Sequence, residues 1–295
     1  MKKIKLVAFL FVFIFFLSCR KDHGNNNGNG NNGNGNSGGG NNGNNDTNCI
    51  ISTISQLNSG LSSESSLSAF YNNSYNVTKL VIYDSVNKVK NFEADFNYIS
   101  SDSIIIDQYQ YLILDTQSRV IRFKTKSDWS DLENSDDYLY EYLYNDQGFL
   151  SIRNLYINNS QSPELSTAYN YTNNLMTSCI QTAFTSGNLK VLESTLTYNT
   201  SITIKNWIYT LPDATQEYMY LTALNFGNRS SNPLKQVVTK IYDPTSGILL
   251  DTWTTNYTNY IVDGHGHLLS GEADGDLQEG IASFYGKTNF YYQCH

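Results

Sequence analysis

The stretch Tyr138–Tyr144, which reads Tyr-Leu-Tyr-Glu-Tyr-Leu-Tyr, has a tyrosine at every second position. Successive side chains of an extended strand point to opposite faces, so the four tyrosines would share one face and the two leucines the other. Residues 120–126 alternate in the same way, with Phe123 on one side and Lys124 on the other. Aromatic and β-branched residues at this period predict β-strands from about residue 77 onward.

The same turn pattern recurs between these strand-like runs. An apolar residue is followed by Asp or Asn, two variable residues, a Gly or small polar residue, a variable residue and another apolar residue. Copies begin at Asp84, Asp115, Asn145 and Asp263, and Asp243 begins a shorter version. Asp or Asn in first position can bond the backbone two residues on, and a later Gly or Asn supplies a positive φ. The pattern therefore predicts hairpins.

The first three turns begin 31 and 30 residues apart. Such an interval holds a strand, a turn and a returning strand, so we predict an all-β antiparallel meander with an internal repeat. We expect it to form one domain over residues 49–295, curled into a sheet or a barrel, with hairpin repeats from about residue 77. Before them, apolar residues within 50–61 recur at roughly helical spacing, which predicts a short helix or an irregular lead-in.

The turn residues resemble the YD repeat of Rhs-type shell proteins. They are more closely similar to the hairpins of Bacteroidetes lipoproteins of uncharacterised function, among which is a domain with a porin-like, barrel-shaped fold. The resemblance covers about residues 77–295, and Asn87 and Ser118 stand where Gly is usual. It implies a fold and a location, and it carries over no functional residue.

Residues 1–18 have the parts of an export signal: three lysines, the apolar run Leu6–Leu17 and Ser18 directly before Cys19. The run holds 12 residues, whereas a spanning helix needs about 20. The segment resembles a bacterial lipoprotein signal, with Phe16 at the start of the lipobox as in a variant common in Bacteroidetes. We therefore expect removal of residues 1–18 and lipidation of Cys19, with ordinary secretion as the alternative.

Acyl chains on Cys19 would attach the protein to a lipid membrane. We predict the outer membrane, with the domain at the cell surface or on the periplasmic face, because residues 20–23 only partly resemble a surface-export signal. Residues 24–45 are all Asn or Gly except Ser37. This composition predicts a disordered tether within the linker 19–48.

The charge of the chain excludes some partners. Removal of residues 1–18 takes away three of the 19 basic side chains and none of the 27 acidic ones, so the formal net charge falls from −8 to −11. A nucleic-acid-binding protein needs a basic face for the phosphates. We therefore expect no nucleic-acid partner.

The tyrosine row is the best candidate for a binding site. If Tyr138, Tyr140, Tyr142 and Tyr144 were exposed, their rings could stack on a glycan or an extended peptide, or contact a partner protein. In a meander the same residues could instead form cross-strand pairs that stabilise the sheet. We thus predict a non-enzymatic binding protein, and the alternative is a structural or accessory component of an envelope assembly.

Candidate metal ligands are few. Asp274, Asp276 and Glu279 lie in a Gly-rich stretch that could hold Ca²⁺, although their spacing does not match the twelve-residue calcium loop and an ordinary acidic turn is the alternative. His265 and His267 are two residues apart, but they fall in one of the recurrent turns. We expect no other cofactor, and without a Gly-x-Ser-x-Gly motif we expect no enzyme.

Three cysteines follow the lipobox. An export compartment permits a disulfide, and Cys49 and Cys294 lie at the two ends of the predicted domain, so a bridge between them would close it. The alternative is that these two and Cys179 are all reduced and buried.

Overall fold

A computed structural model describes residues 49–57, 64–84, 89–127, 134–185, 187–205, 224–276 and 286–294. Within these residues the chain forms seventeen β-strands. The strands are β1 (Cys49–Leu57), β2 (Glu64–Tyr71), β3 (Val77–Asp84), β4 (Val89–Asp95), β5 (Asn97–Ser100), β6 (Ser103–Ile105), β7 (Tyr111–Leu114), β8 (Val120–Lys126), β9 (Asp137–Tyr144), β10 (Leu150–Ile157), β11 (Leu165–Thr172), β12 (Leu175–Ala183), β13 (Leu189–Tyr198), β14 (Leu234–Tyr242), β15 (Leu249–Val262), β16 (Leu268–Gly275) and β17 (Gly286–Cys294). The predicted all-β antiparallel meander is confirmed.

The strands form one sheet that curls back on itself. Each strand pairs antiparallel with its neighbours in the chain, and β1 pairs with β17. The exception is β4 and β5, which follow one another end to end across Phe96, with β4 paired to β3 and β5 to β6. The described residues form no ladder between β4 and β5, so the sheet is barrel-like without closing side by side at this point.

One face of the sheet holds the core. Side chains directly opposite in an antiparallel ladder share a face, and Phe123, Tyr140 and Leu155 are paired in this way across β8, β9 and β10. All three are buried, and so are Val237 and Tyr257 on β14 and β15. The inner face of the curled sheet therefore carries mostly apolar and aromatic side chains, with buried threonines such as Thr125 and Thr239 among them.

The predicted helix or irregular lead-in over residues 50–61 is wrong for the described part. Residues 49–57 form β1, and residues 58–63 lie outside the described structure. The register of β1 against β17 shifts between Ile51 and Thr53. This bulge places both Ile51 and Ile54 in the core. The two buried side chains are therefore three positions apart, whereas a regular strand would bring side chains to the same face every two positions.

The alternation of strands gives the meander two ends. We call one the disulfide end; it carries Cys49, Cys294 and the turns at residues 72–76, 115–119, 145–149 and 263–267. The opposite end carries the turns at residues 184–188 and 243–248.

Candidate functional site

The tyrosine row of β9 faces the core. Tyr140 and Tyr142 are each 2% exposed. The ring of Tyr140 stacks on Phe123 with centroids 6.0 Å apart, and the guanidinium of buried Arg153 lies 5.6 Å from its centroid. Tyr138 is half-buried, and desolvation by burial raises the pKa of its hydroxyl. The four tyrosines share one face as predicted, and since Tyr140 and Tyr142 are buried on the inner side, this face favours the structural alternative over an exposed binding strip.

The remaining tyrosine of the row has a structural contact that recurs elsewhere. The hydroxyl of Tyr144 donates a hydrogen bond to the carbonyl of Val120 on β8, at 2.5 Å. Equivalent bonds run from a tyrosine near the disulfide end to a backbone carbonyl 20 to 26 residues earlier: Tyr71 to Ile51, Tyr260 to Leu234 and Tyr292 to Leu268. These hydroxyls fasten strand ends to one another, which explains part of the high tyrosine content.

The recurrent turns have one geometry. In the turn at Asn145, its Oδ1 accepts hydrogen bonds from the backbone N–H groups of Gln147 and Phe149, and Gly148 has a φ of 79°. The turns at Asp115 and Asp263 repeat both bonds, and Ser118 takes the positive φ in the former. The predicted turn chemistry is thus confirmed at these positions, whereas residues 85–88 of the Asp84 copy lie outside the described structure.

The sequence did not reveal a further copy of this turn. Oδ1 of Asn72 accepts from Ser74 and Asn76, and Tyr75 has a φ of 62°. A tyrosine at the left-handed position hid the pattern, which is recognised in sequence by its Gly or small polar residue. The spacing of Asn72 before the apolar Val77 was the available signal.

The turn carboxylates are held in their charged form. For Asp115 burial raises the pKa, but hydrogen bonds from the backbone and side chain of Arg119 and from Gln117 leave it below its usual range. Burial also raises the pKa of Asp263, and hydrogen bonds from His267 and His265 leave it below its usual range. Side-chain and backbone hydrogen bonds from Thr245 and Ser246 lower the pKa of Asp243 to about 2. These carboxylates serve as backbone acceptors in turns.

The connection between β13 and β14 is described at residues 199–205 and 224–233, and these parts dock on three of the turns at the disulfide end. The N–H of Asn228 donates to the carbonyl of Gly148 at 2.8 Å, and the N–H of Lys205 donates to that of Gly266 at 2.7 Å. Asn225 accepts from the N–H of Val120 at 2.7 Å. The described parts of the connection therefore cover this end through backbone contacts.

Apolar side chains of the connection complete the cover. Phe226 is 1% exposed and meets Tyr142 edge-on, with ring centroids 5.2 Å apart. Gly227 beside it has a φ of 90°, and a Cβ there would lie 2.4 Å from the carbonyl oxygen of Gly148. Sequence reasoning missed this role because the connection has neither strand nor helix periodicity.

The outer face of β3, β4, β8 and β9 carries charged side chains. Lys124 and Lys126 on β8 both approach Asp137 on β9, at 3.5 and 2.9 Å. Lys79 on β3 contacts Glu93 on β4 at 2.5 Å. Hydrogen bonds from Lys79 and Lys90 lower the pKa of Glu93 to about 2. The outer positions thus carry charge pairs where the inner positions carry the core.

A tryptophan lies on the inner face where it approaches the opposite end. Trp253 on β15 pairs with buried Thr239, and its Nε1 donates to Oδ2 of Asp251 at 2.7 Å. Exposure falls along the same face, from exposed Asp251 through half-buried Trp253 to buried Thr255 and Tyr257. The arrangement combines an aromatic ring with a carboxylate that is open to water. Sequence reasoning missed it, although Asp251 and Trp253 stand two residues apart soon after the Asp243 turn.

Two of the three candidate metal ligands lie within the described residues. Asp274 is exposed, Asp276 accepts a hydrogen bond from the N–H of Thr254 at 2.7 Å, and Glu279 lies outside the described residues. Nowhere in the described part of the chain do three His, Cys, Asp or Glu side chains form a group that could hold a metal ion. His265 is exposed in its turn, whereas His267 is buried against Tyr292, with ring centroids 4.9 Å apart.

Cys49 and Cys294 face each other in the ladder between β1 and β17, and their Sγ atoms form a disulfide 2.06 Å long. The bridge joins residues 245 positions apart. Cys179 on β12 is a buried thiol outside this bridge. Cys19, the predicted lipidation site, lies outside the described structure.

Solved structures share this fold. No protein-family model and no curated protein matches the chain. A porin-like protein from Bacteroides uniformis ATCC 8492 has a TM-score of 0.54 at 16% identity, with 82% of this chain and 98% of that one covered. A porin-like protein from Bacteroides vulgatus ATCC 8482 has a TM-score of 0.53 at 10% identity, with 83% and 99% covered. At these identities the likeness concerns the fold alone, and it confirms the expected porin-like, barrel-shaped architecture.

The described residues contain no helix long and apolar enough to cross a membrane.

Proposed function

We propose that the chain is a lipid-anchored protein of the cell envelope whose β domain stands in water and binds a ligand without catalysis. The anchor rests on the resemblance of residues 1–19 to a lipoprotein signal. The domain would then sit beside the membrane through residues 20–48, with its barrel-like fold serving as a scaffold instead of a pore.

The polar outer face carries the proposal. A barrel that spans a membrane needs an apolar band on its outer surface, because charged groups facing hydrocarbon are costly. In this chain Arg122 pairs with Glu141 on the outer surface at the middle of β8 and β9, while the rings of Phe123 and Tyr140 lie inside. Such a distribution favours water outside and a packed interior.

The carboxylates support binding over catalysis. A general acid that works near neutral pH needs a raised pKa. Hydrogen bonds lower the pKa of Glu193 and Asp137, and the shifts at the turns have the same direction. These acids are bound to lysines or to turn backbone, which suits a structural role.

Trp253 and Asp251 are the described pair that best fits a ligand. The ring face of a tryptophan can stack on a sugar, and an adjacent carboxylate can accept hydrogen bonds from its hydroxyl groups. This pair replaces the buried row of Tyr140 and Tyr142 as the candidate glycan site. Asp251 is exposed and Trp253 is half-buried, so a ligand in water can reach both side chains.

Titration with a neutral hexose oligosaccharide, read by tryptophan fluorescence, tests the ligand class. We expect saturable quenching that is lost in Trp253→Phe and weakened at least tenfold in Asp251→Asn. Thr252→Ala, on the outer face of the same strand, is the matched control and should bind normally. Equal signals from wild type and Trp253→Phe would remove the glycan proposal.

A second function, docking in an envelope assembly, is favoured by three consecutive exposed residues. Ile248, Leu249 and Leu250 are 65%, 48% and 61% exposed at the opposite end. Neighbouring exposed apolar residues mark interaction sites more often than single ones do. Leu249→Ser with Leu250→Ser should release the protein from any complex seen by native electrophoresis of detergent extracts. An unchanged complex size would count against this role.

The anchor and the location are tested together in cells. Metabolic labelling with a fatty acid should mark the wild type and not Cys19→Ala. Protease added to intact cells should release the domain if it faces outward, and release only after the outer membrane is opened would place it in the periplasm. An unlabelled wild-type protein would reject the lipid anchor.

A further inference from the structure

The outer face is not uniformly polar, because four exposed apolar side chains gather near the disulfide end. They are Phe70 on β2, Ile261 on β15, Leu269 on β16 and Tyr291 on β17, with exposed fractions between 41% and 56%. We call them the disulfide-end patch. Each lies two or three residues from the end of its strand or from the adjoining turn.

The patch extends over five neighbouring strands, of which β1 carries none of the four side chains. The order of pairing is β15, β16, β17, β1 and β2, so at about 4.8 Å per strand the patch is about 20 Å wide. Tyr291 pairs with Thr53 of β1, and Thr53 pairs with Ser68 of β2, two residues before Phe70. A bulge in β16 turns Leu269 outward while Leu268 stays buried.

The same strands become polar away from this end. Thr258 and Glu272 are paired on the outer face of β15 and β16, and Glu272 pairs next with Lys287 on β17. Glu272 also accepts a hydrogen bond from Asn259. The change from apolar to polar over three or four residues sets a shallow boundary parallel to the end of the sheet.

We propose that the disulfide-end patch rests on the lipid surface of the membrane that holds the anchor. This inference rests on the proposed lipidation of Cys19. Its residues suit the interface, since Tyr, Phe, Ile and Leu are favoured at the boundary between head groups and acyl chains. Behind the patch, Glu272 and Lys287 carry opposite charges and are paired across β16 and β17, so this pair adds no local charge that would demand anionic lipid.

The path of the chain selects this occupant. The tether enters the domain at Cys49, which is bonded to Cys294, three residues after Tyr291. A coil of the length of residues 20–48 spans roughly 30 Å. The anchor would therefore keep the disulfide end close to the membrane and give the patch a high effective concentration at its surface.

The size of the patch argues for lipid over a protein partner. A stable protein interface buries about 800 Å² on each side, whereas four partly exposed side chains supply much less. A weak contact suffices for a domain that is already tethered, because the second contact is then intramolecular.

The test uses the mature, acylated protein in phosphatidylcholine vesicles, with an environment-sensitive fluorophore attached through Leu269→Cys. Cys179 is buried, and the other two cysteines are bonded to each other, so the label is selective. We expect a blue-shifted emission that a nitroxide on the lipid acyl chains quenches. The same label attached through Thr258→Cys, on the polar part of the outer face, is the matched control and should report water.

A second variant checks that the patch acts as a unit. Ile261→Ser with Tyr291→Ser should lower the quenching at position 269 several-fold while the circular dichroism spectrum stays unchanged. Both side chains are more than half exposed, so their replacement should not disturb the core.

The outcomes separate the two proposals. Protein that floats with the vesicles but gives no shift at position 269 would overturn the lipid contact and leave the anchor intact. Protein that does not float would overturn both. A shift that disappears on dilution of the protein in the vesicles would assign the patch to a second copy of the chain, and equal quenching at position 258 would indicate insertion across the bilayer; either result contradicts the inference.

Discussion

The two faces of β8 and β9 differ within a single residue step. On the inner face, Phe123 and Tyr140 stack in the core, and on the outer face Lys124 pairs with Asp137 at 3.5 Å. A pore in a membrane would need the reverse arrangement, with the apolar side outside. The comparison teaches that a porin-like fold does not fix its surroundings, because the alternation of side chains decides which face meets water.

The largest expected effect comes from the inner face. Tyr140→Ala should lower the free energy of unfolding by about 3–5 kcal/mol, since it removes a buried aromatic ring and leaves a cavity. Leu143→Ala, three residues along the same strand but exposed on the outer face, is the matched control and should cost less than about 1 kcal/mol. Urea unfolding followed by tryptophan fluorescence measures both. Equal losses would break the comparison between the faces.

The disulfide joins β1 to β17 at the end of the ladder that pairs these two strands. Cys49→Ser with Cys294→Ser should cost about 2–5 kcal/mol, as for removal of a native bridge. Thermal unfolding with and without a reducing agent measures the effect. The reducing agent should lower the melting temperature of the wild type to that of the double variant. A wild type that is indifferent to reductant would show that the ladder alone holds these strands.

The turns at the disulfide end should give a smaller effect. Asn145→Ala removes the acceptor for the N–H groups of Gln147 and Phe149 and should cost about 1–2 kcal/mol. Asn145→Asp keeps an oxygen in the same place and serves as the control. If both variants lose equal stability in urea, the Oδ1 acceptor is not what holds the turn.

Acid should weaken the turns before it disturbs the inner face. The folded pKa values of Asp115 and Asp263 are lowered, so their contribution is present above the unfolded value, about 3.9, and is lost as pH falls below it toward the folded value. Hydrogen exchange between pH 5 and pH 3 should show earlier loss of protection at residues 115–119 and 263–267 than at Tyr140. Asp115→Asn should reduce the pH dependence at the first turn only.

Much of the curled sheet could be predicted from the sequence. The period-two pattern around Tyr140 and Phe123 and the Asp or Asn turns specify strands and hairpins locally, which is why the meander and the turn chemistry are confirmed. The sequence could not predict which face of each strand lies inside, because the tyrosines of β9 would suit an exposed strip equally well. Burial decides it, and the burial of Tyr142 depends in part on Phe226, which lies far along the chain.

Other features depend on contacts that have no local signal. The connection that carries Phe226 docks through backbone groups, and any residue except proline can supply the N–H. The bulge in β1 gave Ile51 and Ile54 a spacing that suggested a helix. The pair of Asp251 and Trp253 becomes a candidate site only because β15 places both side chains on the inner face at a position that water reaches.

The size and conductance of the purified domain, residues 46–295, in buffer without detergent test the central claim most directly. We expect a monodisperse monomer by light scattering, a cooperative unfolding transition, and no conductance when the domain is added to a planar bilayer. Aggregation that only detergent reverses, together with stepwise conductance in the bilayer, would contradict a domain whose outer face meets water.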